Sequence, residues 1–169
     1  QVFWFFGLHG ASITQPIRLP FMQMYLIANL SAFSAGQPIV HYFTQPFWSY
    51  VITLGGGGAT MGLCILLLKS KSAELKTLGK LSIGPAIFNI NEPATFGYPI
   101  MYNPTLAIPF VINPLITMII CYFGYMVGFF KPAFTMITAT LPVGVSPYLC
   151  TLSWTNILTP AVISYLPGD

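Results

Sequence analysis

Uncharged apolar runs alternate along this chain with short polar breaks, and the lengths of the runs set the first reading. A helix needs about 20 apolar residues to cross the hydrocarbon core of a bilayer. Residues 50–68 form such a run and stop at Lys69; residues 105–130 form a second and stop at Lys131. Residues 133–166 are also uncharged, but Pro142, Pro147 and Pro160 divide them, which argues against one straight helix. Residues 16–40 are a weaker candidate, because Arg18, Gln23, Asn29 and Gln37 interrupt them. Such a pattern suits a helix facing protein, an aqueous cavity or the membrane interface. The expected fold is an all-α polytopic membrane protein with at least three transmembrane helices.

Two further segments are apolar on average yet too broken to span. One is FWFFGLHGASITQP, residues 3–16, where Gly7 and Gly10 bracket His9. The other is LSIGPAIFNINEPATFGYPIMYNP, residues 81–104, with four prolines and a polar centre at Asn89, Asn91 and Glu92. Irregular backbone at membrane depth is tolerated where it is buried in protein or lines a cavity, and broken segments of this kind form transporter binding sites. Both are therefore expected to be re-entrant hairpins. A solvated loop would not normally carry Ile83, Ile87, Phe88, Ile90, Phe96 and Ile100.

Composition agrees. The 169 residues are 55% hydrophobic and 5% charged, whereas a soluble domain carries about 25% charged residues. Six Lys/Arg and three Asp/Glu cannot cover a water-facing surface, and a net charge of +3 is too small to argue for nucleic acid. Lys69, Lys71, Lys76 and Lys80 cluster in one connection, which the positive-inside rule places in the cytoplasm. Cys64, Cys121 and Cys150 lie singly in apolar runs and read as small buried hydrophobes. The spacings Gly58-x-x-x-Gly62 and Gly124-x-x-x-Gly128 read as packing features. Neither end reads as a natural terminus, so the sequence is expected to be a fragment.

Glu92 is the most informative residue. It is the sole acid between Glu74 and Asp169, in an otherwise uncharged region. An intramembrane carboxylate is costly, and its default reading is functional. Pro93 biases Glu92 away from helix, and Asn89 and Asn91 add amide donors and acceptors, the equipment for holding several hydroxyl groups. The bland reading is a glutamate paired only to hold the hairpin. His9 stands between residues that permit a tight turn, although a lone histidine among aromatics is often just a satisfied side chain. His41 reads as a surface or interfacial residue. Phe3, Trp4, Phe5 and Phe6 read as packing residues, with stacking of Trp4 against a bound ligand as the minority reading. Two histidines without HExxH give no zinc ligand set, and GxSxG and Walker A loops are absent. No metal, cofactor or catalytic residue is expected.

The stretch FNINEPATFGYPIMYNPTLAIPFVINPL, residues 88–115, closely resembles membrane subunit IIC of the bacterial phosphotransferase system, in its lactose, cellobiose and N,N′-diacetylchitobiose group. FWFFGLHG, residues 3–10, resembles the other hairpin motif of the same family. The resemblance implies that residues 1–169 are the C-terminal, substrate-binding part of a permease whose N-terminal helices, which build much of the dimer interface, are missing. It implies a multi-pass protein of the bacterial inner membrane, homodimeric at full length and surrounded by lipid. Such a permease takes a β-linked disaccharide across the membrane for phosphorylation by a cytoplasmic IIB subunit, which IIA charges in turn. His9 and Glu92 would contact sugar hydroxyls, with Asn89 and Asn91 as neighbours. The competing readings are a secondary transporter or channel with Glu92 as an ion or proton site, and an intramembrane enzyme using His9 and Glu92 as an acid/base pair.

Overall fold

The computed structural model describes residues 1–52, 56–58, 60–98, 100, 102–138 and 141–158, and among these it is helical with no strand. The helices are α1 (Val2–Phe5), α2 (Gly10–Ser34), α3 (Gln45–Phe47), α4 (Met61–Lys69), α5 (Ala73–Ile87), α6 (Glu92–Gly97), α7 (Pro104–Met126) and α8 (Val145–Thr151). A π-helical turn, Trp48–Ile52, continues α3, and a 3-10 helix, Trp154–Leu158, follows α8.

Helix α7 is the membrane-length element. Asn103 Oδ1 accepts the backbone N–H of Thr105 at 3.1 Å, and Pro104, which has no N–H to leave unpaired, takes the first position. Twenty-three residues extend about 35 Å at 1.5 Å each. Two stripes follow at helical spacing. Phe110, Pro114, Thr117, Cys121 and Tyr125 are buried. Ile108, Ile112, Leu115, Ile119, Phe123 and Met126 are exposed, a row costly in water and at home against acyl chains. Among the described residues, α7 is the one helix long and apolar enough to cross a membrane.

The other two expected spans break up. Residues 50–68 do not form one helix, because Gly56 and Gly58 take left-handed φ values of +98° and +85° that interrupt the hydrogen-bond ladder. What remains is the π-helical turn and the nine-residue α4. Residues 133–158 are divided, as their prolines lead one to expect. The chain around Pro132 runs without helix to residue 138, Gly144 has φ +90°, and α8 has seven residues. Residues 159–166 lie outside the described residues. The weaker candidate, by contrast, becomes the longest helix. Twenty-five residues of α2 run through Pro16 and Pro20, beginning before the expected span and ending at Ser34.

Two polar residues of α2, Arg18 and Asn29, face protein. The Arg18 guanidinium lies 4.3 Å over the ring of Trp48. Asn29 is 1% exposed and ties down two non-helical segments. Its Nδ2 donates to the carbonyls of His41 at 2.7 Å and Ala133 at 2.8 Å, while its Oδ1 accepts the N–H of His41 at 3.2 Å. His41 is half-buried and stacks on Tyr25. Asn156 clamps Lys131 in the same manner, donating to its carbonyl and accepting its N–H. In lipid no water can substitute for these partners, so each buried amide satisfies backbone that would otherwise be orphaned.

Helices α4 and α5 form a hairpin that displays Lys69, Lys71, Lys76 and Lys80 on its exposed turn and first helical turns. They cross closely at Gly79, where a Cβ would lie 2.6 Å from the backbone nitrogen of Leu68. The two Gly-x-x-x-Gly spacings do not pack as pairs. Gly58 lies beneath Phe110 and Gly124 beneath Phe130, whereas nothing stands within 4 Å of a Cβ on Gly62 or Gly128. All three cysteines are free and buried, as expected.

Candidate functional site

Both polar segments are helical hairpins. In the first, α1 closes on Gly7 (φ +75°), and His9 serves as the N-cap of α2. The Ser12 N–H donates to His9 Nδ1 at 3.2 Å, and Ser12 Oγ lies 2.8 Å from the same nitrogen. Because Nδ1 accepts, the neutral ring carries its proton on Nε2 and can donate it outward from an exposed position. In the second, α5 ends at Ile87, Asn89 takes a left-handed φ of +62°, and α6 starts at Glu92 with Pro93 in its first turn. This hairpin begins eight residues earlier than the sequence pattern marks, since α5 starts at Ala73.

Trp4 brings the hairpins together. It is 4% exposed, with its ring centroid 4.5 Å from that of His9 and 6.2 Å from that of Phe96. Phe96 follows Glu92 by four residues, so the two share a face of α6. Trp4 thus stands between the element carrying His9 and the element carrying Glu92, in a cluster with Ile100 and Phe110. Its burial fits the packing role. Two hydrogen bonds reinforce the junction. The N–H of Tyr102 donates to the Phe5 carbonyl at 3.2 Å, and its hydroxyl donates to the Phe6 carbonyl at 3.1 Å.

Of the four expected site residues, His9 and Glu92 are exposed, Asn89 is half-buried and Asn91 is buried at 4%. Glu92 is therefore not sequestered within this chain, contrary to the desolvated setting its apolar neighbourhood suggests. As the first residue of α6 it lies at the edge of the helix rather than beneath it. The sequence reading missed a third component, the glycine turn at residues 56–58. Asn91 Nδ2 donates to the Gly57 carbonyl at 2.7 Å and to Thr95 Oγ1 at 2.9 Å. A Cβ on Gly57 would lie 3.5 Å from Trp4 Nε1. The signal was available, since four consecutive glycines (residues 55–58) cannot continue a spanning helix at low cost.

With this geometry in hand, likeness to known proteins decides the family. Residues 1–114 match the family model described as Phosphotransferase system, EIIC. The chain belongs to that family. It is 43% identical over 153 residues to the lichenan permease IIC component of Bacillus subtilis (strain 168), covering 89% of this chain and 34% of that protein. It is 41% identical over 127 residues to the lactose-specific EIICB component of Lacticaseibacillus casei, covering 75% of this chain and 22% of that one. The crystal structure of ChbC, the IIC component of the N,N′-diacetylchitobiose-specific phosphotransferase system, superposes with a TM-score of 0.93 at 38% identity. That match covers 98% of this chain and 39% of ChbC. The helical fold of the described residues is thus the fold of a membrane permease, and the chain spans between about a fifth and two fifths of the length of these relatives.

Proposed function

We propose that residues 1–169 form the C-terminal, substrate-binding part of a phosphotransferase permease that binds a β-linked disaccharide and carries it across the bacterial inner membrane. The observation that carries this reading is the Trp4 bridge. It joins the exposed His9 hairpin to the exposed Glu92 helix in a family whose relatives are named for lichenan, lactose and diacetylchitobiose. His9, its Nδ1 accepting from Ser12, offers an Nε2–H donor and Glu92 a pair of acceptor oxygens, a complement suited to neighbouring sugar hydroxyls. Asn89 and Asn91 stand in the turn that presents Glu92. The intact permease is multi-pass and dimeric in this reading, with the lysine turn on the cytoplasmic side. Fifteen residues of α5 then carry the chain about 22 Å from that turn. With α5 taken to run along the membrane normal, this reading has Glu92 within a hydrocarbon core about 30 Å thick.

The phosphoryl group comes from IIB, a unit that the Lacticaseibacillus relative joins to IIC in its name. In the transfer from a phosphocysteine of IIB, the sugar oxygen attacks phosphorus, the phosphorus–sulfur bond breaks with its electron pair going to sulfur, and the hydroxyl proton passes to Glu92. The free cysteines of this chain are buried and take no part in it.

Glu92→Gln in the intact permease tests the reading against Glu74→Gln, a change at an exposed acid beside the lysines. Each hydrogen bond from a sugar hydroxyl to the carboxylate is worth roughly 1.5–3 kcal/mol. Losing one should weaken disaccharide affinity by about 10–100-fold. Glu74→Gln removes at most an exposed ion pair worth about 0–1 kcal/mol, with no effect on binding. Titration calorimetry on detergent-purified, monodisperse protein reads both. Equal affinity of Glu92→Gln and wild type excludes Glu92 as a sugar ligand. Preserved binding with lost phosphorylation assigns it to the transfer step instead.

A further inference from the structure

We infer that Asn91 is a positioning residue that fixes the aim of Glu92 by clamping the glycine turn to the start of α6, rather than a ligand of the sugar. The inference rests on the function proposed above and sharpens its site. A side-chain amide has two N–H donors. Those of Asn91 are committed, one to the carbonyl of Gly57 at 2.7 Å and one to the hydroxyl of Thr95 at 2.9 Å. Its carbonyl oxygen lies beside Gly56, where a Cβ would come within 2.6 Å of Oδ1. With both donors committed and 4% of the residue exposed, its N–H groups are not open to a ligand.

The backbone of Asn91 serves the same purpose. Its carbonyl accepts the N–H of Thr95 at 2.8 Å, closing the single turn on which Glu92 stands. Side chain and main chain of Asn91 therefore hold Thr95 together, and the Gly57 bond anchors that turn to a segment 34 positions away. Glu92, next in sequence and exposed, owes its position to this clamp. The glycine turn is shaped to accept it. Gly56 has φ +98°, and a Cβ there would overlap the Asn91 side chain. Trp4 Nε1 lies 3.5 Å from where a Cβ on Gly57 would stand, so the clamped turn lies beside the residue that bridges to His9.

A double-mutant cycle on the intact permease separates positioning from direct contact. Asn91→Asp keeps the side-chain shape, deletes both donors and sets a carboxylate against the Gly57 carbonyl. Alone it should weaken disaccharide binding by about tenfold or more, whereas in the Glu92→Gln background it should add less than about twofold, because coupled residues are not additive. Gly56→Ala, which pushes the turn off Asn91, should follow the same pattern. Thr95→Val removes one acceptor only and gives a smaller loss with the same dependence on Glu92, which keeps the test alive should Asn91→Asp fail to fold. Equal losses in both backgrounds overturn the inference and make Asn91 an independent sugar ligand. Unchanged binding by Asn91→Asp overturns it as well. Wild-type affinity in Glu92→Gln, by contrast, removes the site reading itself and this inference with it.

Discussion

Asn29→Leu is expected to cost this fold about 3 kcal/mol or more, read as the lowered unfolding midpoint of the detergent-purified protein. Leucine nearly matches asparagine in size, so little cavity or overlap arises. What changes is that the carbonyls of His41 and Ala133 and the N–H of His41 all lose their partner. The Ala133 carbonyl is buried and the two His41 groups are part-buried, and an orphaned buried group costs about 1–3 kcal/mol. Replacing a polar pair by apolar groups can be neutral when both partners go, but here the partners are backbone and cannot be removed. The position is 1% exposed, in the C-terminal third of a helix that packs against two segments without helical bonds of their own. Gln23→Leu on the exposed face of the same helix is the control and should stay within about 0.5 kcal/mol. An Asn29→Leu protein as stable as wild type would show that the two segments are held by their apolar contacts, such as Phe33 on Phe134 at 3.9 Å.

Asn29 also shows where hydropathy reading loses information. It entered the sequence reading as an interruption of a weak span, together with Arg18. In the structure both lie on the longest helix, and the polarity that lowered the apolar score is used against neighbouring backbone and an aromatic ring. The opposite error occurred at residues 50–68, an uncharged run whose glycines do nothing to hydropathy but turn the chain at Gly56 and Gly58. Run length measures solvent preference, while helix continuity depends on φ and ψ, and the two part company wherever glycine is dense. Helix α7 was legible within a few residues because nothing in it puts the two at odds: an asparagine cap, proline at the first position, no glycine before Gly124.

The candidate site divides along the same line. Local chemistry near Glu92 and His9 marks both hairpins, since Pro93, Gly7 and Gly10 act on their immediate neighbours. What holds the hairpins together is long-range. Nothing in the order of residues announces that Asn91 bonds a carbonyl 34 positions earlier, or that Trp4 lies between His9 and Phe96. Exposure of Glu92 was illegible for a further reason. An apolar neighbourhood in sequence predicts burial only if the neighbours fold over the residue, and Phe88, Ile90 and Phe96 are themselves exposed around it.

Gly79→Ala is expected to destabilise the protein by about 1–3 kcal/mol, although intrinsic helix propensity argues the reverse. Alanine is about 1 kcal/mol better than glycine inside a helix, and Gly79 sits mid-way along α5 with nothing in its sequence context to mark it. Packing decides the sign. A Cβ at this position would lie 2.6 Å from the backbone nitrogen of Leu68 and 2.8 Å from the carbonyl carbon of Leu67. Backbone atoms cannot rotate aside as a side chain does, so α4 and α5 must move apart along their whole contact. Gly84→Ala, one and a half turns further along the same helix, has nothing within 4 Å of the new methyl group. It should stabilise by about 0.5–1 kcal/mol through propensity alone. The two substitutions are chemically identical and share one helix, so opposite signs in thermal unfolding isolate the crossing contact. A Gly79→Ala protein more stable than wild type would mean that the hairpin can open there at little cost. Separation at this crossing also displaces the far end of α5, which leads directly into Asn89, Asn91 and Glu92. Gly79→Ala should therefore weaken disaccharide binding, at a position that carries no polar group.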